Sequence, residues 1–511
     1  MKALAFFSLA LISISVNAQL DGPDIIWQRC FGGTDDDQLR DLHMTADNGF
    51  ILIGYATSTD GQVSNNHGGT DAWVVKTDAN GILEWERCYG GASLDNGSEI
   101  ISTSEGGYLL LASTQSLDGD VSVALGSKDI WLVKLDPSGE IEWEKSYGGS
   151  GNDEGFGLLA DEEGNYYVIG RSNSTDGMIT ENFGLNDTWL LKVDGDGLLL
   201  WERSLGGAGE DTGYSLDLFS NGDIGVATRI DLQISDVYIA RYTASGDLVW
   251  GETYGGTSID ACNRIRIDSS DVIHISGHSF SIDGDLNSTH GGADVWHLVL
   301  DEEGTVITSM TYGGSMNDNA NDLILIDDGG FIHSGGALSD DGDIFENFGE
   351  TDAWVIRLDD EGNILWERVY GGSETDRANR VIRSGGSIIL GGFTNSTDGD
   401  VIGNHGDFDL WLMKLEHDPV SVTGLREPMH AAIVPNPTTG IATVIFLGEM
   451  GQNVSIDLLD TAGRTTPLSM IRSSMINETR ITLDLSDRAP GTYHVVIKGD
   501  RSPVHVPVVR M

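Results

Sequence analysis

Positive charge and cysteine are both scarce in this chain of 511 residues. Only 29 Lys and Arg residues face 80 Asp and Glu residues, so the formal net charge is −51. So large an excess of negative charge argues against nucleic acid and anionic lipid as partners, because both are polyanions. The three cysteines, Cys30, Cys88 and Cys262, are too few for a disulfide framework.

Long apolar runs are missing after residue 18, and helical periodicity is absent from residues 19–418. No later stretch approaches the roughly 20 apolar residues of a membrane-spanning helix. At the N-terminus, Lys2, the apolar run Ala3–Val16 and the small residue Ala18 predict a signal peptide over residues 1–18. We therefore expect a mature chain from about Gln19 that has no membrane span and lies outside the inner membrane.

A glycine-rich phrase is abundant instead. It is clearest as Trp85–Gly91 (WERCYGG) with Asp95 four residues later, and other copies begin at Trp27, Trp143, Trp201, Trp250, Thr308 and Trp366. Successive copies are 58 residues apart, except for one interval of 49. A period of this size predicts a repeat architecture. Cys30 and Cys88 share one repeat position, which leaves a bridge between them as an alternative to free buried thiols.

Each unit is predicted to form four short strands. In the second unit, runs of β-branched and aromatic residues between Gly, Asp and Ser turns predict strands at 97–103, 108–114, 129–136 and 140–147. Seven such units predict an all-β fold, a seven-bladed β-propeller over residues 19–418. The last unit stops after Asp409–Leu415 without a fourth strand, and Asp24–Trp27 supplies that strand at the N-terminus. We expect the N-terminal strand to close the ring and remove its open edges.

The pattern W-x-x-x-[YF]-G-G-x-x-x-D, followed by D-G-G-Y, S-x-D-G-D and D-x-W-x-x-K, resembles the seven-bladed β-propeller repeat family of secreted bacterial proteins. The resemblance covers about residues 24–418 and implies the architecture, with little information on activity. The fourth unit departs from it. Nine loop residues are missing around Ile230–Asp236, and Tyr238 stands where other units have tryptophan. This shortening predicts a notch beside the central channel.

The period ends after Asp418, and a second pattern of short strands occupies residues 431–511, with 419–430 as a linker. Strands predicted at 442–446, 454–459, 480–485 and 492–497 favour a small Ig-like β-sandwich. Three motifs are similar to those of the C-terminal sorting domain of the type IX secretion system: Pro435-Asn436-Pro437, Leu459-Asp460-x-x-Gly463-Arg464 and Pro490-Gly491-x-Tyr493. The resemblance implies a Gram-negative bacterium, a translocon as partner, and a secreted or outer-membrane surface location. A structural or carbohydrate-binding sandwich is the alternative.

Doubled acids recur in the loop between the second and third strands of four units. The pairs are Asp118 with Asp120, Asp283 with Asp285, Asp341 with Asp343, and Asp398 with Asp400. Carboxylates spaced around a glycine suit a hard cation, so calcium is the candidate cofactor and these eight residues are its candidate ligands. However, two units lack the second acid, no loop has the twelve-residue calcium signature, and Asp-Gly is a preferred turn dipeptide. Calcium sites and plain turns therefore stay as alternatives.

Two other positions recur in nearly every unit. The Asp of the glycine-rich phrase, as at Asp95, Asp153 and Asp211, is expected to lie on the same face as the doubled-acid loops. There it would cap a turn, with a ring of cation ligands as the alternative. The tryptophan of Asp-x-Trp, as at Trp73, Trp131 and Trp189, is expected to fill the gap between blades.

No catalytic signature stands out, since G-x-S-x-G, H-E-x-x-H and phosphate-binding glycine loops are all missing. The histidines of the fifth unit, such as His274 and His297, lack the defined spacing of a zinc site. The sequence favours a monomeric secreted scaffold that binds a glycan or surface protein. The alternative is a propeller enzyme acting on polysaccharide, a glycoside hydrolase or lyase, with two carboxylates roughly 5–9 Å apart in one or two blades.

Overall fold

The computed structural model describes residues 20–422 apart from 232–234 and 287–288. Beyond residue 422 it describes 430–434, 441–447, 455–460, 465–467, 471–475, 478–486, 488, 490–498 and 504–510. The predicted signal peptide lies outside these residues. Gly22–Asp418 form one compact unit.

Seven four-stranded antiparallel sheets form the blades of a β-propeller in that unit. The strands of the first four blades follow the chain, after an N-terminal strand β1 (Ile25–Phe31). Blade 1 has β2 (Asp37–Met44), β3 (Phe50–Ala56), β4 (Asp71–Thr77) and β5 (Leu83–Tyr89). Blade 2 has β6 (Asp95–Ser102), β7 (Tyr108–Thr114), β8 (Asp129–Leu135) and β9 (Ile141–Tyr147). Blade 3 has β10 (Asp153–Ala160), β11 (Tyr166–Ser172), β12 (Asp187–Val193) and β13 (Leu199–Leu205). Blade 4 has β14 (Thr212–Leu218), β15 (Ile224–Asp231), β16 (Ser235–Tyr242) and β17 (Leu248–Tyr254).

The remaining three blades complete the ring. Blade 5 has β18 (Asp260–Ile267), β19 (Ile273–Ser279), β20 (Asp294–Leu300) and β21 (Val306–Tyr312). Blade 6 has β22 (Asp318–Leu325), β23 (Phe331–Ala337), β24 (Asp352–Leu358) and β25 (Ile364–Tyr370). Blade 7 has β26 (Asp376–Ser384), β27 (Ser387–Thr394) and β28 (Asp409–His417). Its fourth strand is β1, which pairs antiparallel with β28 in the order β1-β28-β27-β26. The predicted seven-bladed propeller is therefore confirmed.

The buried faces of the blades follow the sequence pattern. All seven residues of β4 are buried, whereas the outer strand β5 has exposed and half-buried positions over most of its length. The repeat tryptophans Trp73, Trp131 and Trp189 are fully buried. Each donates its indole N–H to a glutamate of the outer strand of its own blade, at 2.7–2.9 Å. The acceptors are Glu86, Glu144 and Glu202. The tryptophan thus packs in the core and also ties the third strand to the fourth.

The three cysteines are free and buried. The bridge between Cys30 and Cys88 that the repeat position left open is not formed. The two residues lie on β1 and β5, the outer strands of two different blades. Burial raises the pKa of each thiol, for Cys262 to about 12, so all three are protonated at neutral pH.

The chain beyond Asp418 begins with a single helical turn, α1 (Pro419–Val422). Two four-stranded antiparallel sheets follow. One has the order β29-β30-β34-β33, with β29 (His430–Val434), β30 (Ile441–Leu447), β33 (Ile471–Met475) and β34 (Glu478–Asp484). The other has the order β32-β31-β35-β36, with β31 (Ser455–Asp460), β32 (Thr465–Pro467), β35 (Gly491–Lys498) and β36 (Val504–Arg510). Their packing as an Ig-like sandwich stays a prediction. Among the described residues, no helix has the length and apolar character needed to cross a membrane.

Candidate functional site

The aspartate of the glycine-rich phrase holds two loops of its blade together. Asp37 is fully buried, and its Oδ2 accepts hydrogen bonds from the Gly33 N–H at 2.8 Å and the Ser58 hydroxyl at 2.7 Å. Its Oδ1 accepts the backbone N–H groups of Thr57 and Ser58. Asp95, Asp153 and Asp211 accept the equivalent glycine N–H at 2.7–2.8 Å. These are the contacts of a turn cap, as the sequence favoured.

The doubled acids accept backbone hydrogen bonds from the same turn. In blade 2, Asp118 Oδ1 accepts the Ala92 N–H at 2.8 Å, and Asp120 Oδ2 accepts the Gly90 N–H at 3.2 Å. The first acids of the other three loops accept an equivalent N–H at 2.7–2.8 Å, and they are Asp283, Asp341 and Asp398. The second acids accept a glycine N–H at 3.0, 3.1 and 3.4 Å, and they are Asp285, Asp343 and Asp400. In blade 1 the Gln62 amide oxygen takes the place of the second acid.

Calcium was one of two alternatives for these eight carboxylates, with plain turns as the other. Within the described part of the chain, no group of three or more His, Cys, Asp or Glu side chains is arranged to hold a metal ion. Asp285 and Asp343 each accept a hydrogen bond with one carboxylate oxygen from the turn of their own blade. Asp343 also lies 3.8 Å from His290 Nε2. The contacts are those of the turn alternative, and calcium binding at Asp118, Asp120, Asp283, Asp285, Asp341, Asp343, Asp398 and Asp400 stays a prediction.

His274 and His297 of blade 5 are core residues. The ring centroids of His274 and His297 lie 5.8 Å apart, and His333 of blade 6 packs 4.8 Å from His297. Burial lowers the pKa of all three imidazoles, so they are neutral at physiological pH.

Each blade junction also holds a pair of carboxyl groups, which the sequence analysis did not anticipate. The first residue of Asp-x-Trp, such as Asp71, faces the inner-strand aspartate of the next blade, here Asp95. A methyl group built on Gly90 would lie 2.6 Å from Asp95 Oδ2 and 3.0 Å from Asp71 Oδ1, so both oxygens converge on that glycine. Both residues are fully buried, and the Oδ1 atom of Asp71 has no hydrogen-bond partner among the described residues. Asp95, in contrast, is saturated by donors.

One aspartate in each of three of these pairs has a pKa well above the usual aspartate value. Burial raises the pKa of Asp352 to about 7 and of Asp294 and Asp409 to about 6, and the facing aspartate of the next blade adds to each shift. Two buried carboxylates cannot both ionise at close range without a cation or proton between them. The recurrence of Asp at the start of each third strand was the available sequence signal.

The axis of the propeller is filled by a network of ion pairs, also missed by the sequence analysis. Arg264 of blade 5 reaches across the ring to Glu99 of blade 2 at 2.8 Å and contacts Asp322 of blade 6 at 2.8 Å. Arg380 of blade 7 bonds to Asp41 of blade 1 at 2.7 Å and to Glu99 at 3.0 Å. All five side chains are at most 14% exposed.

The acids of this network also bind the next blade. The Ile100 N–H donates to Asp41 Oδ2, and the Val381 N–H donates to Asp322 Oδ2, each at 3.0 Å. Burial opposes ionisation of Asp41 and Asp322, but the neighbouring arginines outweigh it and hold both pKa values below the usual range. Acids that stay ionised in this way are poor general acids at neutral pH. The network follows a β-bulge in each inner strand that contributes to it, and its residues differ from unit to unit.

The fourth blade has the short connection that the sequence predicted. β15 and β16 pair as far as Asp231↔Ser235, so only three residues separate the paired ends. The Asp231 N–H donates to Asp211 Oδ1 at 2.9 Å, which keeps the turn cap although the long loop is missing. The ring is therefore asymmetric at this point.

Large apolar side chains are exposed on the loops of the face that carries the turn caps. The most exposed are Leu117 at 78%, Ile282 at 77%, Ile402 at 76% and Phe345 at 72%. Others on these loops are Leu94, Val123, Leu125, Phe183, Leu185, Ile259, Phe280, Met316 and Phe348. The hairpin turns at the opposite ends of the strands are built mainly of Asp, Glu, Asn, Ser and Gly, and the exposed apolar side chains beside them include Ile82, Leu198 and Leu248.

Comparison with known proteins identifies the C-terminal part. Residues 432–508 match the family described as secretion system C-terminal sorting domain. This confirms the predicted type IX sorting domain and, with it, export to the cell surface or the exterior.

Other comparisons give weaker similarities. The regulatory protein FlaEY of Caulobacter vibrioides is 27% identical over 164 residues, which covers 28% of this chain and 17% of FlaEY. Among solved structures, puromycin hydrolase aligns with 13% identity and a TM-score of 0.46, over 81% of this chain and 59% of the hydrolase. Synechocystis apocarotenoid oxygenase aligns with 11% identity and a TM-score of 0.37, over 65% of this chain and 72% of the oxygenase. Structural similarity at this level carries no functional argument.

Proposed function

We propose that this secreted propeller is a binding scaffold that uses its capped-loop face, the face formed by the glycine-rich turns and the long loops, to hold an extracellular glycan. The observation that carries the proposal is the set of apolar and aromatic side chains exposed on that face. Four of them are more than 70% exposed, namely Leu117, Ile282, Phe345 and Ile402. Exposed apolar groups on a strongly acidic protein favour an interaction surface.

The chemistry of this face fits sugar rings. Exposed aromatic side chains such as Phe183, Phe280 and Phe345 offer flat apolar surfaces, and the carboxylates of the same loops accept hydrogen bonds from hydroxyl groups. Since Asp118 and its equivalents are exposed and already fixed by backbone N–H donors, they are held in place without a ligand. A preorganised surface of this kind loses little entropy on binding.

The residues at the propeller axis favour a binding scaffold rather than an enzyme that cleaves polysaccharide. The unit-specific acids at the axis, Asp41, Glu99 and Asp322, are all bound to arginine. The carboxyl pairs at the junctions recur in every blade, and all of their members except Asp236 are buried. A glycosidase needs two accessible carboxyl groups specific to one site.

The test is a glycan and polysaccharide array probed with the mature protein. We expect binding that the double variant Leu117→Asp with Ile282→Asp weakens at least tenfold, because it places charge on two loop tips. Leu198→Asp, at a position 62% exposed beside the outer strand of blade 3, is the matched control and should bind like the wild type. Absence of binding across the array would refute the proposal, and release of reducing ends or unsaturated sugars would favour the enzyme.

A further inference from the structure

Among the described residues of the propeller, arginine without any acidic or carbonyl acceptor is concentrated at one place. Residues 423–511 carry eight Lys or Arg and eight Asp or Glu, so residues 19–422 hold 20 basic and 72 acidic residues. Most of these basic side chains make ion pairs, and others, such as Arg29 and Arg203, donate to backbone carbonyls. Arg40, Arg229 and Arg377 make no ion pair with any residue that the structure describes. An unpaired arginine amid so many carboxylates requires an explanation.

Arg229 and Arg377 lie at one level of the ring, and Arg40 lies close to it. Each inner strand pairs the residue after its capping aspartate with a residue of the second strand. In blades 4 to 7 these pairs are Thr212↔Arg229, Ala261↔His278, Asn319↔Gly336 and Arg377↔Phe393. Arg40 lies two residues further along the inner strand of blade 1, at its β-bulge. The pairing therefore places Arg229, His278 and Arg377 at one level in three blades, with Arg40 of blade 1 two residues further along.

Small residues leave room between them. Gly336 has no side chain, and a methyl group built there would lie 3.0 Å from Thr351 Cγ2 and 3.6 Å from Arg377 Cγ, so Arg377 extends towards blade 6. Ala261, which pairs with His278, has only a methyl side chain. Arg229 lies two residues before the end of β15, where blade 4 has a short connection and other blades have a long loop. This is where the sequence predicted a notch.

Two buried polar atoms of the cluster lack hydrogen-bond partners among the described residues, whereas Arg40 is exposed to solvent. Arg229 Nε and His278 Nδ1 are buried and have no hydrogen-bond partner among the described residues. Arg40 lies against the Tyr55 ring, 5.5 Å from its centroid. Burial first, and then the charges of Arg229 and Arg377, lower the pKa of His278, which agrees with their proximity. Burial and Arg40 likewise lower the pKa of Arg377.

We propose that Arg229, Arg377 and Arg40, with His278, form an oxyanion-binding site beside the axis. The ligand is a carboxylate, sulfate or phosphate group, free or carried on a larger molecule such as an acidic sugar. Guanidinium groups bind such oxygens through paired N–H donors, and bound oxyanion oxygens supply the acceptors that Arg229 Nε and His278 lack. The surrounding carboxylates repel anions elsewhere on the propeller, so binding is confined to this site. The site is separate from the exposed loop tips, and either proposal stands if the other fails.

Blade 3 offers a matched control. Arg171 occupies the same second-strand position as Arg229, but it is paired with Glu154 at 3.1 Å. Its charge is already neutralised, so it has no capacity left for an anion. Replacing Arg171 removes an arginine from the same level of the ring without removing a free donor.

The experiment is calorimetric titration of the full mature chain with inorganic sulfate, inorganic phosphate, glucuronate and, as a neutral sugar, glucose. We expect binding of at least one oxyanion and none of glucose. Arg229→Gln and Arg377→Gln should each weaken binding about tenfold or more, whereas Arg171→Gln should leave it unchanged. Preference for glucuronate over the inorganic ions identifies an acidic sugar, and the reverse identifies a free ion.

Two results would overturn the proposal. One is the absence of binding of all three oxyanions to the wild-type chain at millimolar concentration and low ionic strength. The other is equal binding by the wild type and by the double variant Arg229→Gln with Arg377→Gln, with an unchanged circular dichroism spectrum. Arg229→Lys, which keeps the charge but not the planar donor pair, guards against loss of folding and should retain part of the affinity.

Discussion

Removal of Arg264 should test whether the axial ion pairs hold the ring together. The variant Arg264→Ala leaves Glu99 and Asp322 buried with fewer partners. Glu99 keeps Arg380 at 3.0 Å, and Asp322 keeps Arg266 at 3.4 Å. Breaking a buried ion pair costs about 3–5 kcal/mol, and the remaining contacts place this case near 3 kcal/mol.

That cost converts into a modest shift of the melting temperature. Unfolding entropy is about 2.1 cal/mol/K per residue, which for a unit of roughly 400 residues gives about 0.8 kcal/mol/K. A loss of about 3 kcal/mol then lowers the Tm by about 4 °C, measurable by differential scanning calorimetry. Arg383→Ala, which removes an exposed pair 3.7 Å from Asp327, is the control and should shift the Tm by less than about 1 °C.

The pH dependence of this difference provides a second check. The folded-state pKa of Asp322 is depressed, so its pairing stabilises the protein above the usual aspartate pKa of about 3.9 and is lost as the pH falls. The gap between wild type and Arg264→Ala should therefore narrow below about pH 4. A variant that melts like the wild type at pH 7, or a gap that widens in acid, would refute the reasoning.

Three further predictions concern the interblade pairs, ring closure and calcium. The raised pKa of Asp352, about 7, stabilises the fold at low pH and is lost as the pH rises towards 7, so Asp352→Asn should gain about 1–2 kcal/mol on the wild type between pH 5 and pH 7. Asp376→Ala, which removes the acceptor of the Gly372 N–H, should instead destabilise at both pH values in chemical denaturation; equal behaviour of the two variants would contradict a proton held between Asp352 and Asp376. A chain starting at Gly32 lacks β1 and should melt lower and self-associate in light scattering, whereas an unaltered monomer would argue against closure by that strand. If calcium binds the doubled-acid loops, millimolar calcium at a micromolar site adds about 4 kcal/mol, a chelator lowers the Tm, and Asp120→Asn with Asp400→Asn reduces that effect; identical melting curves with and without chelator would leave plain turns.

The secondary structure and the ring were open to prediction because their signals are local and repeated. In blade 2, the predicted strand 108–114 agrees with Tyr108–Thr114. The predicted strand 97–103 differs from Asp95–Ser102 by two residues at its start and one at its end. That difference arises because Asp95 caps the turn while already pairing with Thr114 in the ladder. Because the same sequence pattern recurs seven times, the strands predicted for one unit could be transferred to the other blades.

The turn caps were predictable for the same reason, but the carboxyl pairs were not. Asp71 and Asp95 belong to different blades, and only the curvature of the ring brings one against the other over Gly90. The motif Asp-x-Trp correctly predicts where the third strand starts. However, a motif within one blade contains no information on which side chain of the next blade faces it.

The doubled acids show the limit of a motif that has two chemical meanings. The sequence placed Asp285 and Asp343 correctly in the loops after the second strands, but a carboxylate near a glycine serves a cation or a turn equally well. Only the folded ring shows that both accept a glycine N–H of the neighbouring turn, Gly255 for Asp285 and Gly313 for Asp343. The donors come from 30 residues away in the chain, so no local pattern could have chosen between the two readings.

By itself the sequence determined the number of blades, the strand order and the C-terminal sorting domain, because periodicity, turn chemistry and motifs are properties of neighbouring residues. Tertiary structure alone decided the axis. Glu99 and Arg264 are 165 residues apart in the chain, and they meet because opposite blades face each other across a closed ring. A β-bulge before each of these residues shifts the strand register by one residue. Side chains that strict alternation along the strand would place on the other face therefore point towards the axis. The same closure gathers Arg229 and Arg377 at one level, where charges scattered through the sequence become a single site.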